Sequence, residues 1–264
     1  MLYPRLIPSL LVNSKRELVK TIRFSKPKYL GEPLNTAFIF SGFEADELIV
    51  LDIDASKNKE CISLNFVESL SSFTNVPLTI GGGISNLEQI HKILSLGVER
   101  VALSNCLSND FTVLNDSANI FGSSSIAVII NTFKNEDDEI LGSFGRPDLC
   151  SNYYPIKEIC KECQESGAGE IIINQIDHEG TRKGFDTKLM KELNQALSIP
   201  LVALGGCGKI EHIHELLKNT PISGISCGSF FVYSPDTSEV LLSYDSASKW
   251  LKNNFEKYIN SHKK

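Results

Sequence analysis

Two groups of residues in this chain have types and spacing suited to chemistry. The first is a set of glycine and small polar clusters: Gly81-Gly82-Gly83, Ser104-Asn105, Asp177–Gly180 (DHEG), Gly205-Gly206-Cys207-Gly208 and Gly228-Ser229. Glycine lets backbone N–H groups approach a phosphate closely, and a helix that starts just after adds a favourable dipole. Gly82, Gly83, Ser104, Asn105, Asp177, Gly180, Gly206, Gly228 and Ser229 are the candidate phosphate contacts. The plainer reading is that tight turns need glycine. The second group is four charges, Arg5, Glu47, Arg100 and Glu170, each at the start of an apolar run. Two cations and two anions at one end of a fold can pair in a ring, because unpaired buried charges are costly. A structural plug or solvated strand starts explain the same pattern.

Other reactive side chains are less suggestive. Seven cysteines, an odd number in a chain of this length, fit a reducing compartment. Cys160-Lys-Glu-Cys163 has C-x-x-C spacing, but it lies in the helix-like stretch PIKEICKECQESG without a second pair. Helix packing is expected there in preference to zinc or redox chemistry. His212 and His214 are two residues apart and so face different sides of a helix. No metal site and no cofactor is expected.

The elements that must position these residues follow from a repeat. ADELI (Ala45–Ile49) returns as AGEII (Ala168–Ile172), 168 − 45 = 123 residues later, and Pro77 returns as Pro200, again 200 − 77 = 123. A period this long exceeds the roughly 20–50 residues of solenoid units and indicates two fused halves. Eight short apolar runs read as strands: Arg5–Leu10, Glu47–Asp52, Pro77–Ile80, Arg100–Ser104, Ile126–Asn131, Glu170–Gln175, Leu201–Leu204 and Gly224–Cys227. Nearly continuous apolar strands suit a parallel sheet covered on both faces. Amphipathic stretches such as Asn86–Leu96 and Lys209–Lys218 separate them. Four strands repeated as four more predict an α/β fold, a closed (β/α)8 TIM barrel of two half-barrels. The predicted organisation is a single domain over 1–264, with half-barrels at about 1–122 and 123–240 and a C-terminal helix over 241–264. The polar stretch Lys134–Asn152 is expected to be the longest loop.

Composition narrows the function classes. A net charge of −6 argues against nucleic acid or an anionic membrane as the main partner. No apolar run approaches the roughly 20 residues that span a bilayer. The start MLYPRLIPSLLV lacks a basic segment and a cleavage site and reads as a first strand, so a cytoplasmic protein is expected.

Together, Arg5-Leu-Ile-Pro8-Ser-Leu, ADELIVLDIDAS, VPLTIGGGI, GAGEIIINQIDHEGT and IPLVALGGCGKIEH resemble the cyclase subunit of imidazole glycerol phosphate synthase, the HisF family, over about residues 1–232. The resemblance implies a lyase of histidine biosynthesis that works with a HisH-like glutaminase docked under the barrel. It implies that ammonia enters through a four-charge gate and meets a bisphosphorylated ribulosyl substrate at the top. Arg5, Glu47 and Glu170 match that gate, Arg100 stands where the family has lysine, and Glu99 matches an acid facing the glutaminase.

The family's two catalytic aspartates are absent. Ser9-Leu10-Leu11-Val12 places Leu11 at the first acid position, and Ile129-Ile130-Asn131 places Asn131 at the second. Neither side chain exchanges protons as a carboxylic acid does near pH 7. Asn174 and Leu204 stand where the family usually has small hydroxyl residues, and Asp52, Asp54 and Asp177 lie at other strand positions. Leu-Leu-Val at strand one, FSKPKYLGEP and Cys227-Gly-Ser-Phe-Phe-Val232 resemble the glycosyl amidation-associated paralogues of surface-polysaccharide pathways. That branch implies ammonia supply to a separate sugar amidotransferase that turns an acetamido group into an acetamidino group. The expected function is therefore an ammonia-conducting barrel subunit. An active cyclase and a scaffold that only activates the glutaminase are the alternatives.

Overall fold

A computed structural model of the chain describes residues 3–145, 152–234 and 239–261. Eight parallel strands form the centre: β1 (Arg5–Val12), β2 (Leu48–Asp52), β3 (Leu78–Gly81), β4 (Arg100–Leu103), β5 (Ile126–Lys134), β6 (Glu170–Gln175), β7 (Leu201–Leu204) and β8 (Gly224–Cys227). They pair in chain order, and β8 returns to β1 with Gly224 opposite Arg5, which closes the ring. Eight helices follow the strands in turn: α1 (Pro33–Gly42), α2 (Leu64–Phe73), α3 (Leu87–Ser95), α4 (Thr112–Phe121), α5 (Ile156–Glu165), α6 (Thr187–Ala196), α7 (Ile210–Asn219) and α8 (Asp245–Ser261). The fold is the (β/α)8 barrel.

Strand periodicity decides what reaches the barrel axis. In β1, Leu6 and Leu10 pack outward under the helices, while Ile7 joins a separate inner cluster with Ile49, Ala127, Ile172 and Val202. Helix starts are set by side chains that satisfy otherwise unpaired N–H groups. Asn86 accepts from the Gln89 N–H at 3.0 Å before α3, and Asp186 accepts from the Leu189 N–H at 3.0 Å before α6. Each such cap contributes about 1 kcal/mol.

Three local expectations need correction. Lys134–Asn152 is not one long loop: β5 runs on to Lys134 and pairs antiparallel with Ile140–Ser143. The polar run between them is a turn, in which Asn135 Oδ1 accepts from the N–H groups of Asp137 and Glu139. Residues 146–151 lie outside the described part. The last helix begins at Asp245, not at 241. β1 extends to Val12, two residues past the predicted end. Cys160 and Cys163 are both fully buried on α5, where burial raises their thiol pKa, to about 12 for Cys160. His212 is buried and His214 exposed, on different sides of α7.

Tyr244, just ahead of α8, ties the chain end to the barrel floor. Its hydroxyl donates to the Leu6 carbonyl at 3.0 Å and accepts from the Asp46 N–H at 3.0 Å. Asp46 in turn accepts from the Leu6 N–H at 2.8 Å. Tyr244→Phe takes the hydroxyl partner from the buried Leu6 carbonyl and the part-buried Asp46 N–H, which is expected to cost about 2 kcal/mol. Urea unfolding of the two proteins checks it, and equal midpoints would refute the brace.

Candidate functional site

At the barrel floor the structure brings Arg5, Glu47, Arg100 and Glu170 together. The Arg5 guanidinium pairs with Glu47 through one nitrogen and with Glu170 through the other. Arg100 reaches Glu47 at 3.3 Å, and Thr79 donates to the second Glu47 oxygen at 2.6 Å. The arrangement is an open chain, Glu170–Arg5–Glu47–Arg100, because no Arg100–Glu170 ion pair forms among the described residues. Glu170 Oε2 is buried without a hydrogen-bond partner among the described residues. Burial raises the Glu170 pKa, against the pull of Arg5. Glu99 is exposed beside Arg100.

Above the floor lies one fully buried apolar layer, Ile7, Ile49, Ala127, Ile172 and Val202. Above that opens a cavity of about 560 Å3 at the C-terminal ends of the strands, where barrels of this type carry their chemistry. Gly82, Gly83, Ser104, Asn105, Gly180, Gly206, Gly228 and Ser229 line it, drawn from both halves of the chain. Asp177 is not among the lining residues. Its carboxylate accepts from the Lys134 N–H at 2.9 Å and so fastens the β5 extension.

Glycine is required here for a reason sequence alone did not separate from phosphate binding. Gly83 has φ +61°, and a Cβ there would stand 1.8 Å from the Glu60 carbonyl oxygen. Gly206 has φ +105°, with the Gly184 carbonyl oxygen 2.0 Å from where its Cβ would be. Loop-to-loop packing thus demands both glycines, and the case for a phosphate rests on the cavity they line.

Comparison with known proteins fits this architecture. The family described as Histidine biosynthesis protein matches residues 5–237. A Leptospira interrogans protein named "Putative imidazole glycerol phosphate synthase subunit HisF" is 38% identical over 244 residues, 92% of this chain and 96% of its own length. A Pseudomonas aeruginosa protein named "Putative imidazole glycerol phosphate synthase subunit hisF2" is 36% identical over 251 residues, 94% of this chain and 98% of its own. A Bacillus cereus protein named "Imidazole glycerol phosphate synthase subunit HisF" is 32% identical over 239 residues, 90% and 93% respectively. The chain belongs to the HisF family.

The cavity also takes in the residues singled out at the ends of strands one and five. Leu11 lines it, half-buried and paired in register with Leu51. Asn131 lines it too, with its Nδ2 donating to the Gly145 carbonyl and its Oδ1 accepting from Asn174 at 2.9 Å. Leu204 adds a further apolar wall. Asp52 reaches the cavity edge, but it follows the inward-facing Leu51 and so has its Cβ on the opposite side of the strand. Its Oδ1 accepts from the N–H groups of Asp54 and Ala55, both at 3.0 Å, and burial raises its pKa.

Sequence reading missed two buried charged residues that line this HisF-family cavity, Lys20 and Glu179. Lys20 sits on a short strand, Leu18–Lys20, that folds back antiparallel along β1. It is 6% exposed and donates to the Ser9 carbonyl at 3.1 Å. Glu179, two residues past Asp177, accepts from Thr21 Oγ1 at 3.0 Å and from the Phe24 N–H at 3.2 Å. Burial raises the Glu179 pKa, and the Lys20 ammonium pulls it back. The signal was faint: DHEG was visible, but the carboxylate that turns inward is the second of its two.

Burial lowers the Lys20 pKa to about 8, with Glu179 opposing. Between that value and the ordinary 10.5 the unfolded chain holds the proton that the folded chain has lost, so this lysine favours the fold increasingly as pH rises. The difference in unfolding free energy between the protein and Lys20→Met is expected to shift by about 3 kcal/mol toward the unmodified protein from pH 7.5 to pH 10.5. A flat difference in paired denaturation curves would show that the ammonium is not desolvated.

Proposed function

We propose that this chain is the barrel subunit of a two-component glutamine amidotransferase, conducting ammonia from a HisH-like glutaminase and not acting as a cyclase by itself. One combination carries the reading. The floor charges Arg5, Glu47, Arg100 and Glu170 lie together across the barrel axis, while Leu11 and Asn131 replace the acid and base above them. The intervening apolar layer favours passage of neutral ammonia over ammonium, because desolvating a charge is costly. With no proton-transferring pair at the family's positions, nitrogen transfer falls to a further enzyme. A sugar amidotransferase that converts an acetamido to an acetamidino group in surface-polysaccharide synthesis is the acceptor proposed. The cavity is retained as a site for a phosphorylated small molecule. A cytoplasmic location accompanies this reading, and no described helix is long and apolar enough to cross a membrane.

An authentic cyclase has the whole-chain identity to HisF proteins in its favour and the composition of the cavity against it. A scaffold that only activates the glutaminase gives no role to the charged floor. Sedimentation of the barrel with its cognate glutaminase is expected to show a one-to-one complex at micromolar concentration. A barrel that sediments alone there, with no change in glutamine hydrolysis, would exclude both the conduit and the scaffold.

A further inference from the structure

The asparagine at the second acid position is engaged at both ends. Asn131 Nδ2 donates to the Gly145 carbonyl, and Asn131 Oδ1 accepts from Asn174 Nδ2 at 2.9 Å. The Gly145 N–H donates to Ser104 Oγ at 2.9 Å, and that hydroxyl donates to the Ile129 carbonyl at 2.8 Å. Gly145 has φ +75°, and a Cβ there would lie 2.7 Å from Asn105 Oδ1. A continuous run of hydrogen bonds therefore crosses from β6 through β5 and Gly145 to the loop after β4, along one wall of the cavity.

The amide orientations are forced. A carbonyl can only accept, so Asn131 must turn its nitrogen toward Gly145 and its oxygen toward Asn174. Asn174 must then present its own nitrogen, which leaves its Oδ1 buried and without a partner among the described residues. A carboxylate at position 131 would set two acceptors face to face at Gly145 and undo the arrangement. Thus Asn131 and Asn174, two departures from the family pattern, work as one unit.

We propose that Asn131 is a positioning residue: with Asn174 it latches Gly145 against Ser104 and Asn105 and so shapes the wall that receives a phosphate. The ligand half of this inference rests on reading Ser104 and Asn105 as phosphate contacts.

The test compares the full chain with Asn131→Ala and Asn131→Asp, and with the near-isosteric, donor-free Asn131→Leu where alanine unfolds the protein. Three quantities are read: global stability by urea, hydrogen exchange at the Gly145 amide, and the dissociation constant for inorganic phosphate by calorimetry. Folded variants are expected to exchange Gly145 at least tenfold faster and to bind phosphate at least tenfold more weakly. Agreement between the alanine and aspartate variants identifies the lost donor as the cause. Loss in Asn131→Asp alone would assign the effect to added charge and overturn the latch, as would unchanged exchange in both. An unmodified protein that binds no phosphate, with Gly145 exchange still responding, would overturn the ligand half separately.

Discussion

Given ammonium and the bisphosphorylated ribulosyl substrate of the HisF reaction, the purified barrel is expected to turn over at least about a thousandfold more slowly than a relative with both carboxylates. A positioned acid or base contributes roughly 10²–10⁴-fold, and neither Leu11 nor Asn131 can act as one. Leu11 has nothing to titrate, and the Asn131 amide is held between Gly145 and Asn174. Two of the carboxylates that line the cavity are already engaged. Asp52 spends an oxygen on two backbone N–H groups, and Glu179 spends both of its oxygens on Thr21 and Phe24. Restoring the pair as Leu11→Asp with Asn131→Asp is expected to leave the rate within about tenfold of the starting protein. The new carboxylate at 131 faces the Gly145 carbonyl, and the one at 11 lies in register with Leu51. Product formation followed by absorbance decides it. A starting rate within tenfold of an ordinary cyclase would overturn the reading, and full revival by the double change would show the cavity otherwise intact.

The parts of this molecule legible in sequence are those governed by local pattern. Parallel strands buried on both faces must be apolar throughout, so all eight barrel strands stand out, and Glu170–Gln175, Leu201–Leu204 and Gly224–Cys227 match residue for residue. Glu47 and Glu170 were legible because a charge opening a buried strand needs a partner. What stayed hidden depends on contacts distant in sequence. Lys20 and Glu179 come to one cavity only because a short strand folds back along β1 and its neighbour Thr21 bonds Glu179, 179 − 21 = 158 residues away. The strand Ile140–Ser143 was masked by the polar turn before it, whose bonding is side chain to backbone. Asp177 and Glu179 are both acids of one loop, and periodicity does not say which of them turns inward.

Arg5→Ala is expected to uncouple glutamine hydrolysis from nitrogen transfer. Arg5 is the residue that bridges the two glutamates. Glu47 keeps Arg100 and Thr79 in its absence, whereas the only ion pair of Glu170 among the described residues is lost. Leaving one member of a partly buried pair alone costs roughly 3–5 kcal/mol at the extreme. The pKa of Glu170 is already raised by burial, and removing the cation raises it further. Protonation then relieves the variant on the acid side, so its stability deficit should shrink as pH falls toward 4.5, the ordinary value for a glutamic acid. Folding is therefore checked first, by thermal unfolding across that range. In the folded variant with its glutaminase and acceptor enzyme, free ammonia should appear in the medium at the expense of aminated product. Arg100→Ala serves as the comparison, since it removes a charge from the same floor while Arg5 still spans both glutamates. It is expected to leak less and to unfold at a temperature closer to that of the unmodified protein. A ratio of ammonia to product that stays unchanged in a folded, partner-bound Arg5→Ala protein would make the four charges a brace for the barrel floor and nothing more.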